Sequence, residues 1–213
     1  NFDIKVNDKA AIVEVAKLAK KLLALEEEWY LSHSTNEKAY NYLREKLENA
    51  GILVMQNGVV GFDTHRKLEL NEFRAFMLYD DYAPLIFVNG TDSAAGKIFS
   101  LMHEFVHILY QQDDIISESS RVEIKANERK INQIVAEILI QEVIKAKWIE
   151  LENKEELARI DTISKMLKVS SYAVAVKLSE MRMIADNIVA VIASRCQNIK
   201  RSTSGGDFYK NYY

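Results

Sequence analysis

Proline and glycine are nearly missing from this sequence: one proline, Pro84, and seven glycines stand among 213 residues. With so few breakers, long stretches can stay helical, and a helix-rich fold is expected. Cysteine occurs once, as Cys196, which excludes an intrachain disulfide and fits a reducing, cytoplasmic setting. No run reaches the roughly 18 apolar residues that a membrane-spanning helix needs, so no membrane partner is expected. Nor is there an excess of basic charge. The 28 Lys and Arg are outnumbered by 31 Asp and Glu, for a net charge of -3, which argues against a chain that mainly coats nucleic acid. The opening Asn1-Phe2-Asp3-Ile4-Lys5 lacks the pattern of a signal peptide and an initiating methionine, so further chain on either side is expected.

The composition that remains, 48% hydrophobic and 28% charged, is that of a globular domain. Periodicity places helices over 8–31, capped by Asn7-Asp8, and over 36–50, capped by Asn36 and ended by Gly51. Short apolar runs follow. Ile52 to Met55 and Val59 to Phe62 flank Gln56-Asn57-Gly58, the signature of a hairpin. Phe73 to Tyr79 and Leu85 to Val88 read as two further strands. From Asp92 the chain is helical: 93–111, 119–147, 154–167, 171–181 and 185–198. The expected class is α+β and mostly helical, with a small, mainly antiparallel sheet beside the central helix and a C-terminal helical cap. Residues 1–150 would form the main domain, and 151–213 a cap packed on the same core.

The segment His103-Glu104-Phe105-Val106-His107 carries the strongest chemical signal. Ile98, Leu101, Met102, Phe105, Val106 and Leu109 give it helical, largely buried surroundings. On a helix, residues four apart share a face, so both imidazoles can reach one zinc ion. Glu104 lies to one side of the pair and is suited to take a proton from water rather than to bind the metal. An apolar helix would not carry two imidazoles and a carboxylate without a use for them.

A catalytic zinc takes three protein ligands and leaves one position open. Candidates for the third are Asp113, Asp114, Glu118, Glu123, Glu128 and Glu137. Glu128 sits one turn before the apolar run Ile131, Ile134, Val135, Ile138, Leu139, and Asn132 follows it by four. That spacing lets Glu128 reach the metal while Asn132 orients a ligand histidine. Glu137, inside the apolar run, competes for the same role.

These segments resemble the ImmA/IrrE family of HExxH metallopeptidases. The resemblance rests on Glu72 to Phe76, Ala83-Pro84-Leu85-Ile86-Phe87-Val88-Asn89, Asp92-Ser93, Phe99 to His107, and Glu128 to Leu139, within about residues 36–200. It implies one Zn2+ per chain held by His103, His107 and Glu128, with Glu104 as catalytic base. It also implies a protein substrate, a transcriptional repressor of a phage or mobile element. Relatives often carry a helix-turn-helix DNA-binding domain ahead of this one; residues 1–35 show none, so DNA contact would come through a separate or trimmed domain. Two features depart from the family pattern. Ile140-Gln141 stands where a proline is common, and Phe105 and Val106 replace the usual alanine, glycine or leucine.

Weaker signals are read as structural. Residues 161–182 have a helix-turn-helix look, with Ser170 or Ser171 as cap and Lys168, Lys177 and Arg182 as phosphate contacts in a DNA reading. The apolar second helix favours a packed cover instead. Tyr79, Tyr82 and Tyr110 are candidate oxyanion donors that read better as packing, and His33 and His65 lack ligand spacing. Against the peptidase stands a metal-binding regulatory or DNA- or protein-binding module with little or no peptidase activity. Glu104 separates the two, because only the peptidase needs it.

Overall fold

The computed structural model describes residues 4–61, 63–111, 121–140 and 142–203. In chain order the elements are α1 (Ile12–Leu22), a 3-10 turn (Trp29–Ser32), α2 (Asn36–Asn49), β1 (Leu53–Asn57), β2 (Val59–Val60), β3 (Asp63–Lys67), β4 (Ala75–Leu78) and β5 (Leu85–Asn89). They continue as α3 (Ala94–Tyr110), α4 (Arg121–Leu139), α5 (Val143–Glu150), α6 (Glu156–Leu167), α7 (Ser171–Glu180) and α8 (Asp186–Thr203). The class is α+β and mostly helical, as the shortage of breakers suggests.

Two of the expected helices are interrupted. The first stops at Leu22, and Ala24 turns left-handed with φ 44°. Its amide and that of Leu25 bond back to the carbonyls of Lys21 and Lys20. The break lets Leu23, Trp29 and Tyr30 all bury, at 2% exposure or less, which a single straight helix could not do. The helix expected over 119–147 is divided into α4, ending at Leu139, and α5, starting at Val143, with Ile138, Leu139 and Ile140 all buried at the junction.

Caps differ in detail from the sequence reading. Thr35, not Asn36, accepts the Lys38 amide at the start of α2. At α1 the Ala11 amide donates to the Glu14 carboxylate, so Asn7-Asp8 lies outside the helix. Ser170 caps α7 through the Ala173 amide. Gly51 ends α2 with φ +91°, a conformation costly to any residue with a Cβ.

The expected hairpin between 52–55 and 59–62 is not formed by β1. That strand pairs in parallel with β5, Val54 opposite Ile86, and β5 pairs antiparallel with β4, Met77 opposite Ile86. The order is β1-β5-β4, and β2 and β3 make a separate antiparallel ribbon. Asn57 Oδ1 accepts the amides of Gly58 and Val59 and turns the chain out of the sheet. Pairing with β5 places Val54 beside Ile86 and Val88 in the core, a gain in buried apolar area that a partner as short as Val59–Val60 could not offer.

One face of this sheet packs on α3, which also contacts α2 and α4; α1 lies on α4. The buried apolar residues form a single cluster running from Val6 to Ile192. At the start of α3, Ser93 caps the Gly96 amide. The nearly buried Asp92 carboxylate meets Arg74 Nη1 at 3.3 Å. A Cβ on Gly96 would fall 2.5 Å from Asp92 Oδ2, so glycine at this position is what lets the carboxylate sit against the helix.

Candidate metal centre

Helix α3 is enclosed on most sides. Ile98, Leu101, Met102, Phe105, Val106, Ile108 and Leu109 are all fully buried, which fixes its rotation and aims His103 and His107 at α4. There Ile131, Ile134, Val135 and Ile138 bury against the same core and turn Glu128 and Asn132 toward the histidines.

The three candidate ligands converge. His103 Nε2 lies 3.0 Å from His107 Nε2 and 3.2 Å from Glu128 Oε2, and His107 Nε2 lies 3.4 Å from Glu128 Oε1. Tetrahedral bonds of about 2.0–2.1 Å to a zinc ion put neighbouring donor atoms roughly 3.3 Å apart. The three separations are close to that value, with Glu128 turning Oε2 to His103 and Oε1 to His107. Among the described residues this is the one group of three acidic, histidine or cysteine side chains close enough to share an ion. His107 is buried, whereas the side chains of His103 and Glu128 keep 16% and 25% exposure. The open side of the site is thus next to those two residues.

Asn132 Oδ1 accepts from His103 Nδ1 at 3.1 Å. A proton held on Nδ1 leaves Nε2 with its lone pair toward Glu128 and His107, the tautomer that metal binding requires. Phe99, one turn before His103, lies 6.5 Å from its ring and walls that side; the 99–103 spacing would have revealed it.

The electrostatics match a cation site. Burial opposes protonation of His103, but its hydrogen bond with Glu128 and the negative charges of Glu104 and Glu128 outweigh this and raise its pKa above the ordinary 6.5. Burial likewise pushes the Glu128 carboxyl up, and the two imidazoles beside it overcome that and hold it well below the usual carboxylate range. Glu104 is 8% exposed on the same helix. Three acidic or imidazole donors plus a second buried carboxylate are costly together without positive charge between them. This donor set fits a divalent metal.

The competing third ligand is elsewhere. Glu137 Oε2 lies 2.7 Å from Lys177 Nζ of α7 and is not part of the cluster. Asp113, Asp114 and Glu118 lie outside the described residues, as does the side chain of Glu123. Tyr79 Oη donates to Asp81, Tyr82 is exposed, and Tyr110 is buried with Lys130 Nζ 5.5 Å from its ring centre. His33 packs against Trp29 and Tyr42. Within the helix-turn-helix-like segment 161–182, α7 leaves only Glu180 exposed and Lys177 is held by Glu137, while Arg182, just after it, is exposed. The Arg74–Asp92 pair, which anchors the start of α3, was not found from sequence, because no local period links residues so far apart.

No helix among the described residues is long and apolar enough to cross a membrane. No curated protein matches the chain at a significant level. The family model of the IrrE N-terminal-like domain, a family of peptidases, matches residues 47–179, which include α3, α4 and every residue of the His–His–Glu cluster. With well over half of its length matched, the chain belongs to the IrrE N-terminal-like domain family.

Proposed function

We propose that the protein is a zinc-dependent peptidase that hydrolyses a peptide bond in a cytoplasmic protein. The observation that carries this reading is the His103–His107–Glu128 triangle with Glu104 buried on the same helix, one residue after the first ligand. His103, His107 and Glu128 would hold one Zn2+ per chain. When bound, zinc supplies Lewis acidity toward a carbonyl oxygen and lowers the pKa of water toward neutrality.

The chain's own residues do the rest. Glu104 accepts the proton of the attacking water and passes it to the amine that leaves, so it alternates between base and acid. Asn132 keeps His103 in the tautomer that offers Nε2, and Phe99 restricts how far the imidazole can swing. The partly exposed side of His103 and Glu128 is where a substrate chain would enter. By the resemblance in sequence, the substrate is a transcriptional repressor of a phage or mobile element.

The test is cleavage of a peptide mixture prepared from a bacterial proteome, with new N-termini identified by mass spectrometry. Zinc-loaded wild type should generate them, and Glu104→Gln, loaded with the same metal, should not. Equal patterns from the two proteins, or none from either, would leave a metal-binding regulator without peptidase activity as the better account.

A further inference from the structure

The strands carry a second apolar face that the described residues leave open. Leu53-Val54-Met55, Phe76-Met77-Leu78 and Leu85-Ile86-Phe87-Val88 are continuous apolar runs. A sheet with one solvated face would alternate apolar and polar residues; unbroken runs belong to strands covered on both sides. Here α3 covers the side of Val54, Met77, Ile86 and Val88. On the other side the register aligns two rows across the three strands, Leu53–Leu85–Leu78 and Met55–Phe87–Phe76. Leu53, Met55, Phe76 and Leu78 are 49%, 53%, 40% and 47% exposed.

The face is ordered rather than loose. Phe76 and Phe87 stack with ring centres 5.2 Å apart and planes within 9°. Phe73 closes one end against both rings, at 5.6 and 6.0 Å, and there the Asn89 amide donates to the Phe73 carbonyl. Among the described residues nothing covers the rest, and no charged residue occupies an outward position in either row.

We infer that this face is the contact between two copies of the chain, packed sheet to sheet about a two-fold axis. A patch of leucine, methionine and phenylalanine without charge is complementary to itself, as an isologous contact requires. Two small twisted sheets can stack at about 10 Å with their side chains interdigitated. The area agrees. At about 200 Å² per large apolar residue, the exposed fractions of the four side chains amount to about 400 Å² per copy. Adding Leu85 and Phe87, two copies would remove about 900–1,000 Å² from water before any rim contact. That is close to the ~1,000 Å² at which an interface becomes specific. An interface of this size gives a dimer that dissociates on dilution, with the metal centre on the opposite side of the sheet, across α3.

Sedimentation velocity of the metal-loaded chain from about 1 to about 100 µM tests this, since interfaces of modest area bind in the micromolar range. A shift from monomer to dimer across that range is expected. Met55→Lys and Phe76→Glu should each remain monomeric at every concentration while keeping the wild-type circular dichroism spectrum and metal content. A cross-linking arm does not depend on either charged variant folding. Met55→Cys should be joined into a dimer by a short bismaleimide. Val13→Cys, 49% exposed on α1 and carrying the same Cys196, should not. A wild type that stays monomeric throughout overturns the inference and means that another protein or segment covers the face. Dimerisation unchanged in both charged variants, or equal cross-linking from Met55 and Val13, overturns it as well.

Discussion

Asn132 Oδ1 receives the Nδ1 proton of His103 across 3.1 Å, from α4 to α3. One hydrogen bond thus ties the helix that brings both histidines to the helix that brings Glu128, and it selects the imidazole tautomer that can face a cation.

Removing that bond should weaken the metal without abolishing it. Partners of ligand histidines contribute about 10–100-fold to metal affinity. Asn132→Ala should therefore raise the zinc dissociation constant by about 10–100-fold in chelator competition, with stoichiometry restored at high zinc. An unchanged constant would mean that His103 is oriented by its packing alone.

Glu104 should separate binding from chemistry. General acid–base groups contribute about 10²–10⁴-fold to rate. Once a cleaved peptide is in hand, Glu104→Gln should lower kcat by about that factor while binding zinc like the wild type. Loss of zinc together with activity would instead make Glu104 part of the metal shell.

The metal-free and metal-loaded proteins should respond to pH in opposite directions. In the metal-free protein the raised His103 pKa contributes stability that is complete below its ordinary 6.5 and is lost as pH rises through the folded-state value. The depressed Glu128 contributes stability above its ordinary 4.5, lost only as pH falls through its lower folded-state value. Metal binding needs His103 deprotonated at Nε2, so acid opposes it. Between about pH 6 and pH 8 the metal-free Tm should fall from this source, and the rise in Tm on adding zinc should grow. Thermal melts at matched ionic strength, with and without chelator, read both trends. A zinc-induced rise that shrinks toward pH 8 would contradict the site.

The junction between Asp92 and α3 should tolerate no added volume. With the Gly96 Cβ position 2.5 Å from Asp92 Oδ2, Gly96→Ala must displace the buried carboxylate that pairs with Arg74. Overpacking of this kind costs about 1–3 kcal/mol. For a chain of this size, that is a drop in Tm of roughly 2–12 °C. Gly→Ala within a helix normally stabilises by up to about 1 kcal/mol, so an unchanged or higher Tm would show that the carboxylate moves freely.

Much of the candidate site was legible because it is written in helical spacing. His103 and His107 are four apart, Glu128 and Asn132 are four apart, and each pair sits beside an apolar stripe that turns it inward. Local periodicity carries that information within a turn or two. It does not carry the partner of Glu137, which is Lys177 forty positions on, or the choice of β5 over β2 as the neighbour of β1. The Asn57-Gly58 signal was real as a turn, but the strand it ended had a better partner across the sheet. The break after Leu22 was hidden for the same reason: it is set by Leu23, Trp29 and Tyr30 all reaching the core, and that depends on the whole packing.

The most direct test is metal content by mass spectrometry of the purified wild type beside His103→Ala, Glu128→Ala and Glu137→Gln. The account predicts about one zinc per chain in the wild type and in Glu137→Gln, with most of it lost in His103→Ala and Glu128→Ala. A wild type that neither carries nor takes up a divalent metal, or a Glu128→Ala protein that holds it as firmly as the wild type, would contradict it.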